Sequence, residues 1–97
     1  MSHQVSQSDG RILLSGDLVF SRATALRWQL EKLIGQSQGR ILVDFEHVER
    51  VDSSALSLWL CLERHAEPRG VELVALNVPE ELHSIARLAG LTDIGLA

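Results

Sequence analysis

Val48-Glu-Arg-Val-Asp-Ser-Ser-Ala-Leu56 is the most informative stretch of this chain. It follows a continuous apolar run, Arg40-Ile-Leu-Val-Asp-Phe45, which is typical of a central strand covered on both faces. Dense apolar residues then continue from Ala55 to Leu62, and they predict a helix that begins near Asp52-Ser53-Ser54 and ends at about His65. The stretch therefore joins a buried strand to an apolar helix through a short polar loop.

Two further strands and a helix are predicted before this junction. Gln4 to Ser8 and Arg11 to Gly16 are expected to pair as a hairpin across Asp9-Gly10, a dipeptide that favours tight hairpin turns. The first of these strands is weak, because it holds a single apolar residue. Apolar residues three or four apart then predict a helix over Ser21 to Ile34, with Ser21 as its N-cap and Gly35 as its stop.

After the junction the alternation of strand and helix continues. Pro68-Arg69-Gly70 predicts a turn into a strand over Val71 to Leu76, and Pro79 is expected to begin a last helix that stops at Gly90. Strands that alternate with helices in this way indicate a mostly parallel sheet. We therefore expect an α/β single-domain sandwich, with a mostly parallel sheet of four to five strands, three or four helices and the order ββαβαβα.

Length and composition exclude several classes of protein. A chain of 97 residues can support one hydrophobic core, so we expect one domain over residues 1–97, with residues 1–9 forming at most a weakly ordered first strand. The formal net charge of −4 argues against a nucleic-acid-binding protein. The single cysteine, Cys61, excludes an internal disulfide and fits a reducing compartment. A polar N-terminus and the lack of a long apolar run predict a cytoplasmic protein that does not insert into a membrane.

The loop at Asp52-Ser53 is the first candidate for function. Helix N-termini present unpaired N–H groups and a partial positive charge, so they accept anions, including a phosphate carried on a serine. Phosphorylation of Ser53 would add about −1.5 to −2 charges beside Asp52, and so repel an acidic partner or recruit a basic one. The alternative is purely structural, because Asp and Ser are the commonest helix N-caps.

The helix that follows this loop is more apolar than a surface helix needs to be. Positions 55, 58, 59 and 62 form one stripe for the core, which leaves Leu56, Leu60 and Cys61 pointing elsewhere. Leu56 and Leu60 exposed together beside Ser53 would form an apolar patch of the kind that marks a partner site. The alternative is a helix wedged between others. The candidate partner-binding residues are Asp52, Ser53, Ser54, Leu56 and Leu60.

Catalytic and metal-binding patterns are weak in this sequence. The four histidines show no Ser-His-Asp or Cys-His signature at a recognisable spacing. Cys61 and His65 lie four residues apart on one predicted helix face, but two ligands of this kind do not make a metal site. No Gly-rich phosphate-binding loop accompanies the acidic residues near the strand ends. We therefore expect no enzymatic activity, no cofactor and no bound metal.

The order of the elements and four short motifs together resemble the STAS domain, the fold of bacterial anti-sigma-factor antagonists and related regulatory subunits. The motifs are Leu14-Ser-Gly-Asp-Leu18, Ile41-Leu-Val-Asp-Phe45, Val51-Asp-Ser-Ser-Ala-Leu56 and Leu88-Ala-Gly-Leu91. The resemblance implies a STAS-like sandwich over essentially the whole chain. In the antagonists, an anti-sigma-factor kinase phosphorylates the serine after the loop aspartate, and Ser53 matches that serine. Those proteins usually have Gly where this chain has Ala55.

The C-terminal half is similar to the MlaB-type branch of the STAS family. The similar segments are Val74-Ala-Leu-Asn-Val-Pro-Glu-Glu-Leu82 and Ile85-Ala-Arg-Leu-Ala-Gly-Leu91. This resemblance implies a non-catalytic subunit on the cytoplasmic ATPase of an Mla-type ABC complex, which moves phospholipids and maintains outer-membrane lipid asymmetry. It also implies an interface at Ser53, Ser54 and Leu56, and attachment to the inner membrane only through the partner. The alternative partner is an anti-sigma-factor kinase that acts on Ser53.

Overall fold

The computed structural model describes residues 5–8, 10–91 and 95–96, and within these the strands form a single four-stranded sheet. In chain order the strands are β1 (Val5–Ser8), β2 (Arg11–Leu18), β3 (Arg40–Val51) and β4 (Glu72–Leu76), and they lie side by side in that same order. β1 runs antiparallel to β2, whereas β2, β3 and β4 are parallel. The sheet is therefore mixed but mostly parallel. Gln4 and Asp9 of the predicted hairpin lie outside the described residues.

The described residues form three α-helices, which alternate with the parallel strands. They are α1 (Phe20–Gly35), α2 (Ser53–Ala66) and α3 (Glu80–Leu88), and a short 3₁₀ turn, Glu67–Arg69, leads from α2 towards β4. The predicted order ββαβαβα is confirmed. Two strands are longer than the sequence predicted, because β2 continues to Leu18 and β3 to Val51.

The helices cover one face of the sheet. The crossovers from β2 to β3 and from β3 to β4 step in the same direction across the sheet, and right-handed crossovers then place α1 and α2 on the same side. On that side the rings of Phe45 and Trp59 lie 5.9 Å apart, centroid to centroid. On the other face Leu42 and its neighbour Val74 remain half-buried. The expectation that β3 is covered on both faces is therefore wrong, since its continuous apolar run serves one packed face and one partly open face.

A buried carboxylate ties together the three parallel strands on this open face. Asp44 of β3 is only 1% exposed and accepts hydrogen bonds from Arg11 of β2 and from Asn77, which follows β4. The backbone N–H of Glu46 donates to the same carboxylate at 2.9 Å. Burial alone would raise the pKa of Asp44, but these donors outweigh it and hold the pKa below its ordinary value. The carboxylate is thus kept ionised and satisfied inside the sheet.

The start of α1 differs from the sequence prediction. Ser21 was expected to cap this helix, but α1 begins one residue earlier at Phe20, and its N-cap residue, Val19, makes no side-chain capping bond. Instead, the N–H of Phe20 donates to Oδ2 of Asp52 at 3.1 Å, across 32 residues of sequence. Gly35 is the last residue of α1 and not the stop beyond it. An acceptor from a distant loop has replaced the local cap.

The same Asp52 side chain also caps α2. Its Oδ1 accepts from the N–H of Ser54 at 2.8 Å, as predicted for an aspartate just before a helix. Burial acts to raise the pKa of Asp52, and the bonds from Phe20 and Ser54 outweigh it, so the pKa lies below its ordinary value. One ionised carboxylate therefore joins the first turns of two helices. We call this arrangement the Asp52 clip.

The Asp52 clip predicts a graded loss of stability. Asp52→Ala leaves two backbone N–H groups without their acceptor, so we expect unfolding free energy to fall by about 2 kcal/mol in urea titrations. Asp52→Asn keeps one acceptor oxygen and should lose less. Ser53→Ala, a neighbouring exposed position, is the control and should change stability by less than about 0.5 kcal/mol. An Asp52→Ala protein as stable as the Ser53→Ala control would contradict the clip.

Candidate functional site

The candidate site lies where β2 and β3 end and α1 and α2 begin. The N–H of Asp52 donates to the carbonyl oxygen of Leu18 at 3.3 Å, so the two parallel strands stop at the same level. The Asp52 clip then fixes the first residues of both helices beside each other. Ser53 is exposed at this corner, and Ser54 beside it is half-buried. Ser53 is therefore presented on a rigid support of two strands and two helices.

Both oxygens of Asp52 accept hydrogen bonds from backbone N–H groups, so this carboxylate holds the corner together, and other groups around it are exposed. The hydroxyl of Ser53 is one of them. The second is the ring of Phe20, whose side chain is 81% exposed although its N–H is bound to Asp52. An ionised carboxylate, an exposed hydroxyl and an exposed aromatic ring therefore occupy one corner of the molecule.

Of the predicted partner-binding residues, Leu56 does not belong to an exposed patch. Its side chain is only 6% exposed and is part of the core, and Leu60 is half-buried against the same core. Both lie on the flank of α2 opposite to Cys61 and His65, which border a cleft shared with α1. α3 also packs against α2. The expectation of an exposed Leu56–Leu60 patch is therefore wrong, and the wedged-helix alternative describes Leu56.

Among the described residues, the two exposed aromatic side chains lie on α1 instead. Trp28 is 75% exposed, and it follows Phe20 by eight residues, about 12 Å along the helix axis. Thr24, midway between them, is exposed as well, so these three residues follow one solvent-facing side of α1. The core stripe of this helix is formed by Leu26, Leu30 and Ile34. Phe20 and Trp28 were missed in the sequence, although both stand outside that stripe.

The described residues contain no group of three or more His, Cys, Asp or Glu side chains arranged to hold a metal ion. Cys61 and His65 are each half-buried on α2. Within residues 5–8, 10–91 and 95–96, each helix also falls short of the length and hydropathy that crossing a bilayer requires.

Solved structures with the same fold include two of the anti-sigma-factor antagonist SpoIIAA. The unphosphorylated form is 22% identical over 88% of this chain and 81% of that chain, with a TM-score of 0.68. The phosphorylated form of the Bacillus protein is 24% identical over 91% and 83% of the two chains, with a TM-score of 0.69. A putative anti-sigma-factor antagonist from Thermotoga maritima is 16% identical over 89% and 76%, with a TM-score of 0.70. At these identities the likeness shows the fold.

A comparison with curated protein sequences gave no match. A comparison with family models gave one that spans nearly the whole chain, residues 1–96, and that is described as "Mlab, STAS domain". The matched residues include the strand–loop–helix junction, the Asp52 clip and the helices α1, α2 and α3. The chain therefore belongs to the MlaB-like family of STAS domains.

Proposed function

We propose that this chain is a non-catalytic accessory subunit that docks on the ATPase of an Mla-type phospholipid-transport ABC complex. In this role it supports assembly and activity of the complex, and thereby outer-membrane lipid asymmetry. The proposal places the chain in the cytoplasm, held at the inner membrane through its partner. Membership of the MlaB-like family supports the choice of partner.

The observation that carries the proposal is the pair of exposed aromatic side chains on α1, of which Phe20 lies at the same corner as Ser53. Phe20 and Trp28 are 81% and 75% exposed, an unusual state for the largest apolar residues of a chain with only four aromatic side chains. Aromatic residues dominate the energetic centres of protein interfaces, because they bury a large apolar area at little conformational cost. The docking surface in this proposal is defined by Phe20, Thr24, Trp28, Asp52 and Ser53, with Ser54 and Leu60 at its border.

The mechanism in this proposal is positional. The Asp52 clip fixes the starts of two helices beside each other, which makes this part of the domain rigid. By binding a mobile ATPase, a rigid domain can stabilise one arrangement of that ATPase over another. A coupling free energy of about 1–3 kcal/mol is enough to change an assembly equilibrium roughly 5–150-fold. Leu56 contributes to this docking surface only indirectly, because its packing in the core supports the start of α2.

Replacing Phe20 tests this docking surface. We expect Phe20→Ala to weaken binding to the purified ATPase of the host's Mla-type transporter by at least about 10-fold, because the loss of an aromatic anchor commonly exceeds ~1.4 kcal/mol. Binding is measured by interferometry with immobilised ATPase. Leu88→Ala is the matched control, because Leu88 is 91% exposed on α3, away from the clip.

Ser53→Glu should also weaken this binding, since it adds a charge at the centre of the surface without touching the core. Leu56→Asp cannot serve the same purpose, since it would place a charge in the core and unfold the domain. Full ATPase binding by folded Phe20→Ala and Ser53→Glu proteins would remove this surface from the proposal.

A second candidate function is that of an anti-sigma-factor antagonist controlled by phosphorylation of Ser53. Two observations favour it. Ser53 is exposed in the first turn of α2, where the helix dipole stabilises a phosphate. SpoIIAA, which has the same fold, has been solved in a phosphorylated and an unphosphorylated form. The Asp52 clip opposes this function in one respect, because the ionised Asp52 repels a phosphate on the neighbouring serine.

This second function predicts a single phosphorylation by an anti-sigma-factor kinase of the host. Incubation with the kinase and ATP should add the mass of one phosphate, and Ser53→Ala should abolish the addition. Ser54→Ala is the control, because Ser54 is half-buried, and this variant should still be modified. An unmodified wild-type chain, or modification that survives Ser53→Ala, would contradict this second function.

A further inference from the structure

A cleft of about 370 Å³ runs between α1 and the C-terminal end of α2. Arg27 and Glu31 border it on the α1 side. On the other side it is bordered by Cys61, Arg64 and His65 of α2 and by Arg69 of the short turn that follows. Three arginines and one histidine thus surround a cleft that contains one carboxylate, in a chain whose formal net charge is −4.

The ion pair and the hydrogen bond among the cleft's own residues neutralise only part of this positive charge. Arg27 pairs with Glu31 at 3.5 Å, an exposed i,i+4 contact on α1. Arg69 donates to the carbonyl oxygen of His65 at 2.8 Å, which holds its guanidinium at the end of α2. Among the described residues no carboxylate lies within ion-pair distance of Arg64 or Arg69. The cleft therefore has a net positive charge and two arginines that are available to an anionic group.

The helix dipole explains only part of this arrangement. Cations in the last turn of a helix are favoured, and this accounts for Arg64 on α2. It does not account for Arg27, which comes from the second turn of α1 and borders the same cleft. Since Arg27 is paired with Glu31, the charges of Arg64 and Arg69 remain in the cleft, and an acidic partner segment would neutralise them.

The cleft lies between the same two helices that present the proposed docking surface. α1 and α2 start together at the Asp52 clip and follow parallel strands, so they run side by side in the same direction. Arg64 lies eleven residues after Ser53, or about 16 Å along α2. A standard interface of about 800 Å² on each partner spans this distance. One protein docked at Phe20 and Ser53 would therefore extend over the cleft.

We propose that this cleft binds an acidic segment of the same ATPase that docks at Phe20 and Ser53, with carboxylates of that segment bound by Arg64 and Arg69. This inference rests on the proposed function and adds the chemistry of the partner's surface. Guanidinium groups bind carboxylates through paired, charge-assisted hydrogen bonds. Exposed charges of this kind act mainly on the association rate, which makes the interaction sensitive to salt.

The test compares Arg64→Glu with Arg87→Glu in binding to the purified Mla-type ATPase. Arg64 and Arg87 are exposed arginines in the last turns of α2 and α3, so the two variants change net charge and helix dipole alike. At low salt, about 0.05 M, Arg64→Glu should slow association about 10-fold, and the deficit should shrink at about 0.3 M. Arg64→Lys should bind almost as fast as wild type, whereas Arg87→Glu should change association less than about 2-fold.

The outcomes separate this inference from the function on which it rests. If wild type binds the ATPase and Phe20→Ala weakens binding, but Arg64→Glu behaves as Arg87→Glu does, the acidic partner segment is overturned and the docking surface stands. If the wild-type chain does not bind the ATPase at either salt concentration, the proposed function and this inference fall together.

Discussion

The hydrogen bonds that Asp52 accepts from two helices determine the geometry of the corner at which the candidate site lies. The N–H groups of Phe20 and Ser54 both donate to this one carboxylate, which places the first turns of α1 and α2 side by side. The anion is favourable because both helices direct their positive dipole ends towards it. Its pKa is held below the ordinary value, so the stability that it contributes is present above the unfolded-state pKa and is lost as pH falls through the folded-state pKa. Charge is retained at the corner throughout the neutral range.

The clip also determines which groups the molecule presents. A local cap would use a side chain at the start of α1 itself. Here Asp52 supplies the acceptor from a distant loop, and the side chains of Phe20 and Ser21 are exposed. From this corner the two helices run in parallel over the sheet. Phe20 and the exposed hydroxyl of Ser53 lie at the start of their joint surface, whereas the basic cleft around Arg64 lies further along it, at the level of Trp28. A polarised surface of this kind suits a binding subunit that must dock in one orientation.

Most of the fold followed from local patterns, and the errors that bear on the site involve contacts between distant segments. The start of α2 at Asp52 and Ser53 was predictable, because the capping residue and the apolar run lie next to each other. The start of α1 was not, because its acceptor comes from 32 residues away. For Leu56 the sequence left exposure and burial as alternatives, because periodicity identifies one buried stripe on α2 and does not reveal that a second flank is covered. Phe20 was missed for the same reason, since exposure of an aromatic ring depends on what packs against it.

The most direct test of the Asp52 clip follows the backbone amide proton shifts of Phe20 and Ser54 by NMR as the pH is lowered. Both amides donate to one carboxylate, so the account predicts that both titrate with a single common midpoint, below the ordinary Asp value of 3.8. Both transitions should vanish in Asp52→Asn. If the two amides titrate with different midpoints, or if Phe20 does not respond while Ser54 does, Asp52 does not join the two helices and the account of this corner is wrong.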